Sequence, residues 1–174
     1  MKTALVAKRP AMKKLSHYDA AGAARMVDVS GKPETYRTAR AHAFVRISAA
    51  VLRQLPQNPK GNPLEIARIA GIAAAKRTAD LIPLCHPLGL SHADVEVKIQ
   101  KRGIRIQSTA ATTAPTGVEM EALTAAAVAA LTVYDMTKAL DKSIEIAEIY
   151  LLEKTGGKSG AFRREPRGRH KPAP

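Results

Sequence analysis

The chain has 174 residues, of which 45% are hydrophobic but only 3% aromatic, so one domain with a core of Ala, Val, Ile and Leu is expected. The single cysteine, Cys85, excludes an intramolecular disulfide and fits a reducing, cytoplasmic setting; no apolar run reaches membrane-spanning length. The formal net charge of +13 points to nucleic acid only until it is located. Residues 1–14 carry five Lys/Arg and no acid, residues 154–174 seven Lys/Arg against Glu165 alone, and the body between them 16 basic and 14 acidic residues. The excess therefore sits at the ends. Residues 1–14 and 163–174 read as basic, disordered tails around one domain at 15–162, with no surface dedicated to a specific nucleic acid. The start lacks a long apolar core and a cleavage site, so no signal peptide is read.

In chain order, Met26-Val27-Asp28-Val29 reads as a short edge strand. From Thr35 to Ile47, Ala39, Ala41, Ala43, Val45 and Ile47 alternate with Arg40, His42, Phe44 and Arg46, which is a strand pattern. Ala49 to Leu55 reads as a short helix, and Gln54 to Pro63 as a loop rich in Pro, Asn and Gly. Leu64, Ile66, Ile69, Ala70, Ala73 and Arg77 trace a helix that Pro83 stops. Val95, Val97 and Ile99, then Ile104 and Ile106, alternate with polar residues as two strands joined at Arg102-Gly103. In the last strand Ile144 and Ile146 are in step while Ile149 and Leu151 are not, which places a bulge near Ala147–Glu148.

Between these strands lies the long helix 119–140. Thr116-Gly-Val-Glu119 has the spacing of a capping box. Leu123 to Val133 is apolar or small on every side, so the helix is expected to be buried all round and to form part of an oligomeric contact. Asp135, Lys138, Asp141 and Lys142 then appear together. A carboxylate in the closing turns of a helix meets the negative end of the dipole, so Asp135 needs cations such as Lys138 or a raised pKa. The main elements run β-α-β-β-α-β. This order gives an α+β, ferredoxin-like fold with an antiparallel sheet and helices on one face.

Several motifs invite chemistry. Gly156-Gly157-Lys158-Ser159-Gly160 fails as a P-loop, because Leu152 stands where the first glycine is needed; a glycine loop with one cation beside an anionic ligand remains. Cys85-His86 lacks partners at metal-ligand spacing, so no metal site is read. Arg37, Lys60, Lys138, Lys154 and Lys158 form a set of cations suited to a polyphosphate. Glu119 and Glu121 are two apart and cannot share a helical face. If Glu119 serves the cap, Glu121 is free to bond the amino-substituted edge of a heterocycle.

Leu81-Ile-Pro-Leu-Cys-His-Pro-Leu88, Gly117-Val-Glu-Met-Glu-Ala-Leu123, Val133-Tyr-Asp-Met136 with Lys138, and Gly156 to Gly160 together resemble the cyclic pyranopterin monophosphate synthases of molybdenum-cofactor biosynthesis. Met26 to Val29 and Ala67 to Ile72 fit that family too, and the resemblance spans Leu15 to Phe162. It implies a ferredoxin-like lyase assembled as a homohexamer, a trimer of dimers with active sites at the dimer interface, and no cofactor. Its substrate is the cyclised dihydroguanosine triphosphate supplied by a radical S-adenosylmethionine enzyme. By match to the family's motifs, Asp135, Lys138 and Lys60 are the catalytic residues. Leu84, Cys85, His86, Glu119, Met120, Glu121, Arg37 and Lys154 are the substrate-binding ones. One departure stands out: Ala114-Pro115 replaces the family's usual Gly-Lys, removing a cation at the approach to the site. The alternative from another class is a noncatalytic ferredoxin-like RNA- or nucleotide-binding module. For RNA the sheet offers Phe44 and Tyr150, too few aromatics for a stacking platform.

Overall fold

The computed structural model describes residues 17–165 except Ala20. Of the two expected tails, all of 1–14 and residues 166–174 lie outside that range. Among the described residues ten elements follow one another: β1 (Thr35–Arg46), α1 (Ala49–Gln54), a 3-10 turn (Leu55–Gln57), α2 (Pro63–Ala75), α3 (Thr78–Leu81), β2 (His92–Gln100), β3 (Gly103–Ala114), α4 (Glu119–Thr137), β4 (Glu145–Thr155) and β5 (Phe162–Arg163). The five strands form one antiparallel sheet in the order β2-β3-β1-β4-β5. This is an α+β chain. Among the described residues no helix is long and apolar enough to cross a membrane.

The period-2 alternation of β1 decides which face is covered. Ala39, Ala41, Ala43 and Val45 are fully buried, as are Ile104 and Ile106 on β3, and α2 and α4 pack on this face and against each other. Alanines keep the sheet surface flat, so the helices approach closely. The tightest point is Gly71 on α2. A Cβ there would lie 2.8 Å from the Ala125 carbonyl oxygen and 2.9 Å from Val95 Cγ2, so only glycine fits where α2 crosses α4 and β2.

On the opposite face, Arg40 pairs with Glu153 at 3.0 Å and Arg105 with Glu96 at 2.6 Å. His42 stacks on Tyr150 with centroids 4.8 Å apart, and the Arg164 guanidinium lies 4.9 Å from the Tyr150 centroid. The expected domain end at residue 162 falls within β5, and Arg164 beyond it donates from its backbone N–H to the Leu152 carbonyl and from Nε to that of Leu151.

Four local expectations are corrected. Met26–Val29 is not a strand: Val27 O is taken by His86, Asp28 Oδ1 accepts from the Ser30 amide and hydroxyl, and Val29 O accepts from Lys32 N–H, so the backbone closes a turn instead of joining a sheet. The Thr116 capping box does not form. The helix begins at Glu119 after Val118, with no side-chain cap, and so Glu119 opens the first turn instead of closing a box at its third position. The β2–β3 hairpin turns on Lys101-Arg102, with Gln100 and Gly103 paired across it. Finally, α4 is not buried all round: Leu131 is 57% exposed, and on the neighbouring α2 Ile69 is 52% exposed.

The bulge expected in β4 is present. Phe44 pairs with Glu148 and Val45 with Ile146, leaving Ala147 as the extra residue; a second bulge leaves out Leu152 between the pairs Arg40–Glu153 and Ala41–Leu151.

Candidate active site

The open end of the sheet near the N-terminus of α4 holds a cleft of about 1180 Å³. All eight residues expected to bind substrate line it. Leu84, Cys85 and His86 come from the loop after α3, and Glu119, Met120 and Glu121 from the first turn of α4. Arg37 comes from β1 and Lys154 from the end of β4. Lys158, in the loop after β4, adds a further cation.

Each side chain is held by a definite partner. Arg37 donates from Nε to the Ala114 carbonyl at 2.9 Å and from Nη2 to the Pro115 carbonyl at 3.1 Å, which braces it across the β3 end. Its guanidinium lies against Gly157, where a Cβ would come within 2.1 Å of Nη1 and where φ is +75°. Both facts require glycine, so the loop can lay its backbone on the arginine. Lys154 Nζ donates to Ser159 Oγ and so ties the two ends of that loop. His86 Nε2 lies 2.7 Å from the Val27 carbonyl oxygen. Because a carbonyl only accepts, Nε2 carries a hydrogen and donates it.

The cleft is lined by four cations, Arg37, Lys154, Lys158 and Lys32, and by the carboxyls of Glu119 and Glu121; Glu121 is only 4% exposed. Burial pushes the Glu121 carboxyl above its ordinary value; its own backbone N–H pulls the other way and nearby Glu119 adds to the rise. A carboxyl of this kind can donate a proton as well as accept one. Burial, and then the charge of Glu121, push the Cys85 thiol up as well, so it stays protonated and is no thiolate nucleophile.

The residues expected to be catalytic stand elsewhere. Asp135, Lys138 and Lys60 meet at the other end of α4, sixteen residues from Glu119, or about 24 Å at the rise of an α-helix. Lys138 Nζ lies 2.7 Å from Asp135 Oδ1, and Lys60 Nζ lies 3.3 Å from Oδ2 and 2.9 Å from the Asp135 carbonyl oxygen. One chain therefore brings the three together but not to the cleft. The expectation of a helix buried all round fails at Asp135 too: its side chain is 57% exposed. Hydrogen bonds from Lys138 and then Lys60 hold its carboxyl below the usual range. It is an ionised carboxylate between two ammonium groups.

Sequence reasoning missed Lys32 and Thr35. Lys32 follows the Asp28–Ser30 turn and lines the cleft, as does Thr35, whose Oγ1 is buried and without a hydrogen-bond partner among the described residues. No periodicity or spacing marks either one.

Residues 26–157 match the model of the MoaC family. Curated relatives are alike over nearly their whole length. A protein of Parvibaculum lavamentivorans is 52% identical over 88% of this chain and 98% of its own, and one of Streptomyces avermitilis is 55% identical over 89% and 92%. A third, of Deinococcus radiodurans, is 56% identical over 85% and 89%. All three carry the name cyclic pyranopterin monophosphate synthase. The matched span runs from the Val27 carbonyl that holds His86 to the Gly157 that seats Arg37, so it takes in both ends of α4 and nearly every wall of the cleft, and the chain belongs to the MoaC family.

Proposed function

We propose that this chain is a cyclic pyranopterin monophosphate synthase, a lyase of molybdenum-cofactor biosynthesis. It converts (8S)-3',8-cyclo-7,8-dihydroguanosine 5'-triphosphate to cyclic pyranopterin monophosphate and releases pyrophosphate. The observation that carries the reading is agreement of name and extent: relatives more than half identical across this chain bear that name. The cleft supports it chemically, with four cations for a triphosphate and a buried carboxyl of raised pKa for a heterocycle.

In this reading Arg37, Lys154 and Lys158 hold the triphosphate and stabilise the charge that develops on the departing pyrophosphate. Lys32 supplies a cation on the side where Ala114-Pro115 has none to give. Glu121 bonds the amino edge of the guanine-derived ring, with Leu84, Cys85, His86, Met120 and Glu119 as walls. Opening the imidazole-derived ring and closing the pyran need staged proton transfers. Asp135, Lys138 and Lys60 perform them from a second subunit.

The distance between the two halves supports that last assignment. A site assembled from one subunit's cleft and another's Lys60–Asp135–Lys138 group needs no distortion of α4. Leu131, one turn before Asp135, and Ile69 on α2 offer apolar surface beside it for such a contact. We take the fold as ferredoxin-like and the assembly as a homohexamer, a trimer of dimers, acting in the cytoplasm on substrate from a radical S-adenosylmethionine enzyme. Residues 15–162 form the catalytic domain, and the basic ends outside it are dispensable for turnover.

Incubating the protein with the cyclised triphosphate tests the reading. Pyrophosphate should appear together with a pterin chromophore on oxidation. Tight binding without either product would make the chain a nucleotide-binding module instead.

A further inference from the structure

The C-terminal end of α4 is closed by a loop that lies far away in sequence. Four carbonyls at that end lack a partner from an ideal helix. Tyr134 O keeps the last helical bond, from Lys138 N–H, and beyond it Thr137 O accepts locally from Leu140 N–H, which leaves Asp135 O and Met136 O between them. These two are satisfied from the loop after α1: Asp135 O by Lys60 Nζ at 2.9 Å, and Met136 O by Asn58 Nδ2 at 2.8 Å. Asn58 is only 8% exposed, and both ends of its amide are engaged, since Oδ1 accepts the Lys60 backbone N–H at 3.0 Å. Pro59 follows, and Gly61 N–H returns to the Asn58 carbonyl at 3.0 Å, closing a tight turn with Lys60 at its third position.

We propose that Asn58 is a positioning residue for Lys60: its amide ties the Lys60 backbone to the last turn of α4 and so sets the Lys60 ammonium on the Asp135 carboxylate. Lysine has four side-chain bonds to rotate, and a loop lysine without this tether would spread its ammonium over many places. With Lys60 N–H and Met136 O held by one buried amide, the start and the target of that side chain are fixed relative to each other. The remaining group on the carboxylate, Lys138, comes from the helix itself and does not depend on Asn58. The inference rests on the reading that Lys60, Asp135 and Lys138 act in catalysis.

Two substitutions test it. Asn58→Leu keeps the size and removes both bonds. Asn58→Ser keeps a hydroxyl for the Lys60 N–H but is too short to reach Met136 O. Three readouts are taken on the full-length protein: steady-state kinetics with the cyclised triphosphate, melting temperature, and titration of the Asp135 carboxyl by carbon NMR of labelled aspartate. For Asn58→Leu we expect kcat to fall roughly 10- to 100-fold, with KM changed less than about threefold because the cleft is untouched. The Asp135 carboxyl should titrate upward toward its ordinary value as Lys60 leaves. Asn58→Ser should move kcat and the titration in the same direction by a smaller amount. A lower melting temperature in both variants, with kcat and the Asp135 titration unchanged, would overturn the proposal and leave Asn58 as a helix cap only. If Asn58→Leu fails to fold, Asn58→Ser alone decides by the same criterion. If the unsubstituted protein releases no pyrophosphate, the functional reading fails, and the Asp135 titration still tells whether Asn58 places Lys60.

Discussion

The ammonium of Lys60 bridges the backbone carbonyl and the side-chain carboxylate of a single residue, Asp135, at 2.9 and 3.3 Å. One cation thus closes a helix end and holds the carboxylate that follows from it. Both positions favour its charge, because a helix C-terminus carries partial negative charge. With Lys138 on the other oxygen, the two ammonium groups hold the carboxyl below its ordinary range and favour its ionised form. In the proposed reaction an ionised carboxylate would begin by accepting a proton.

From this follows the effect of removing it. Asp135→Asn should lower kcat on the order of 10²- to 10⁴-fold, the usual contribution of a positioned acid–base group, with melting temperature and oligomeric state nearly unchanged. Lys138→Ala should be severe as well and should add a loss of affinity. Stopped assays for pyrophosphate and sedimentation read both. The pH dependence has a definite sign. A carboxyl whose folded pKa is depressed contributes stability above its unfolded value, and that contribution is lost as pH falls through the folded value. Wild-type melting temperature should therefore drop below about pH 4 by more than that of Asp135→Asn.

Glu121 should behave in the opposite way. Its folded pKa is raised, so folding prefers the protonated form, and stability is lost as pH rises through the folded value. Glu121→Gln keeps the shape and cannot ionise. We expect the substituted protein to match wild type near pH 4 and to melt higher than wild type at pH 8, while turnover falls. A melting series across that range checks it, and equal curves at pH 8 would show that burial does not govern this carboxyl.

Gly71→Ala tests the helix crossing. The new methyl would meet the Ala125 carbonyl oxygen at 2.8 Å, and that backbone atom cannot swing aside as a side chain can. Destabilisation of about 1–3 kcal/mol is expected from such overpacking, measured by denaturant midpoint at unchanged slope.

The fold was legible where period and phase spoke. The alternation of β1 named the buried face, and the phase slip between Ile146 and Ile149 located the Ala147 bulge. The second bulge at Leu152 was not readable, because Leu151-Leu152 are alike and break no pattern. Alanine caused the error on α4. A run of small residues states that each side tolerates contact, not that each side has one, and Leu131 lies on the open side. The capping-box spacing was met at Thr116, yet the helix starts two residues later than that box requires. In the site, the walls of the cleft came from motifs, whereas Lys32 and Thr35 have no local signal because the fold alone brings residues 32–35 to the loop at 154–159. What could have been read from length is the separation of the two ends of α4.

That separation yields the sharpest expectation. If the Lys60–Asp135–Lys138 group of one subunit completes the cleft of another, then two variants that are each inactive can restore each other. Arg37→Ala removes a cleft cation and leaves the group at the far end of α4 intact, and Asp135→Asn does the reverse. In a mixed dimer carrying one copy of each, one of the two sites receives both damaged parts and the other receives neither. Equal coexpression makes about half of the dimers mixed, so activity should return to roughly a quarter of wild type. The double substitution Arg37→Ala with Asp135→Asn, coexpressed with either single variant, should restore nothing, since no site then escapes damage. Pyrophosphate release by the whole coexpressed population, without selection for mixed dimers, reads the result. Activity no greater than that of the separate variants would place both halves of the chemistry in one chain and require α4 or its flanking loops to move.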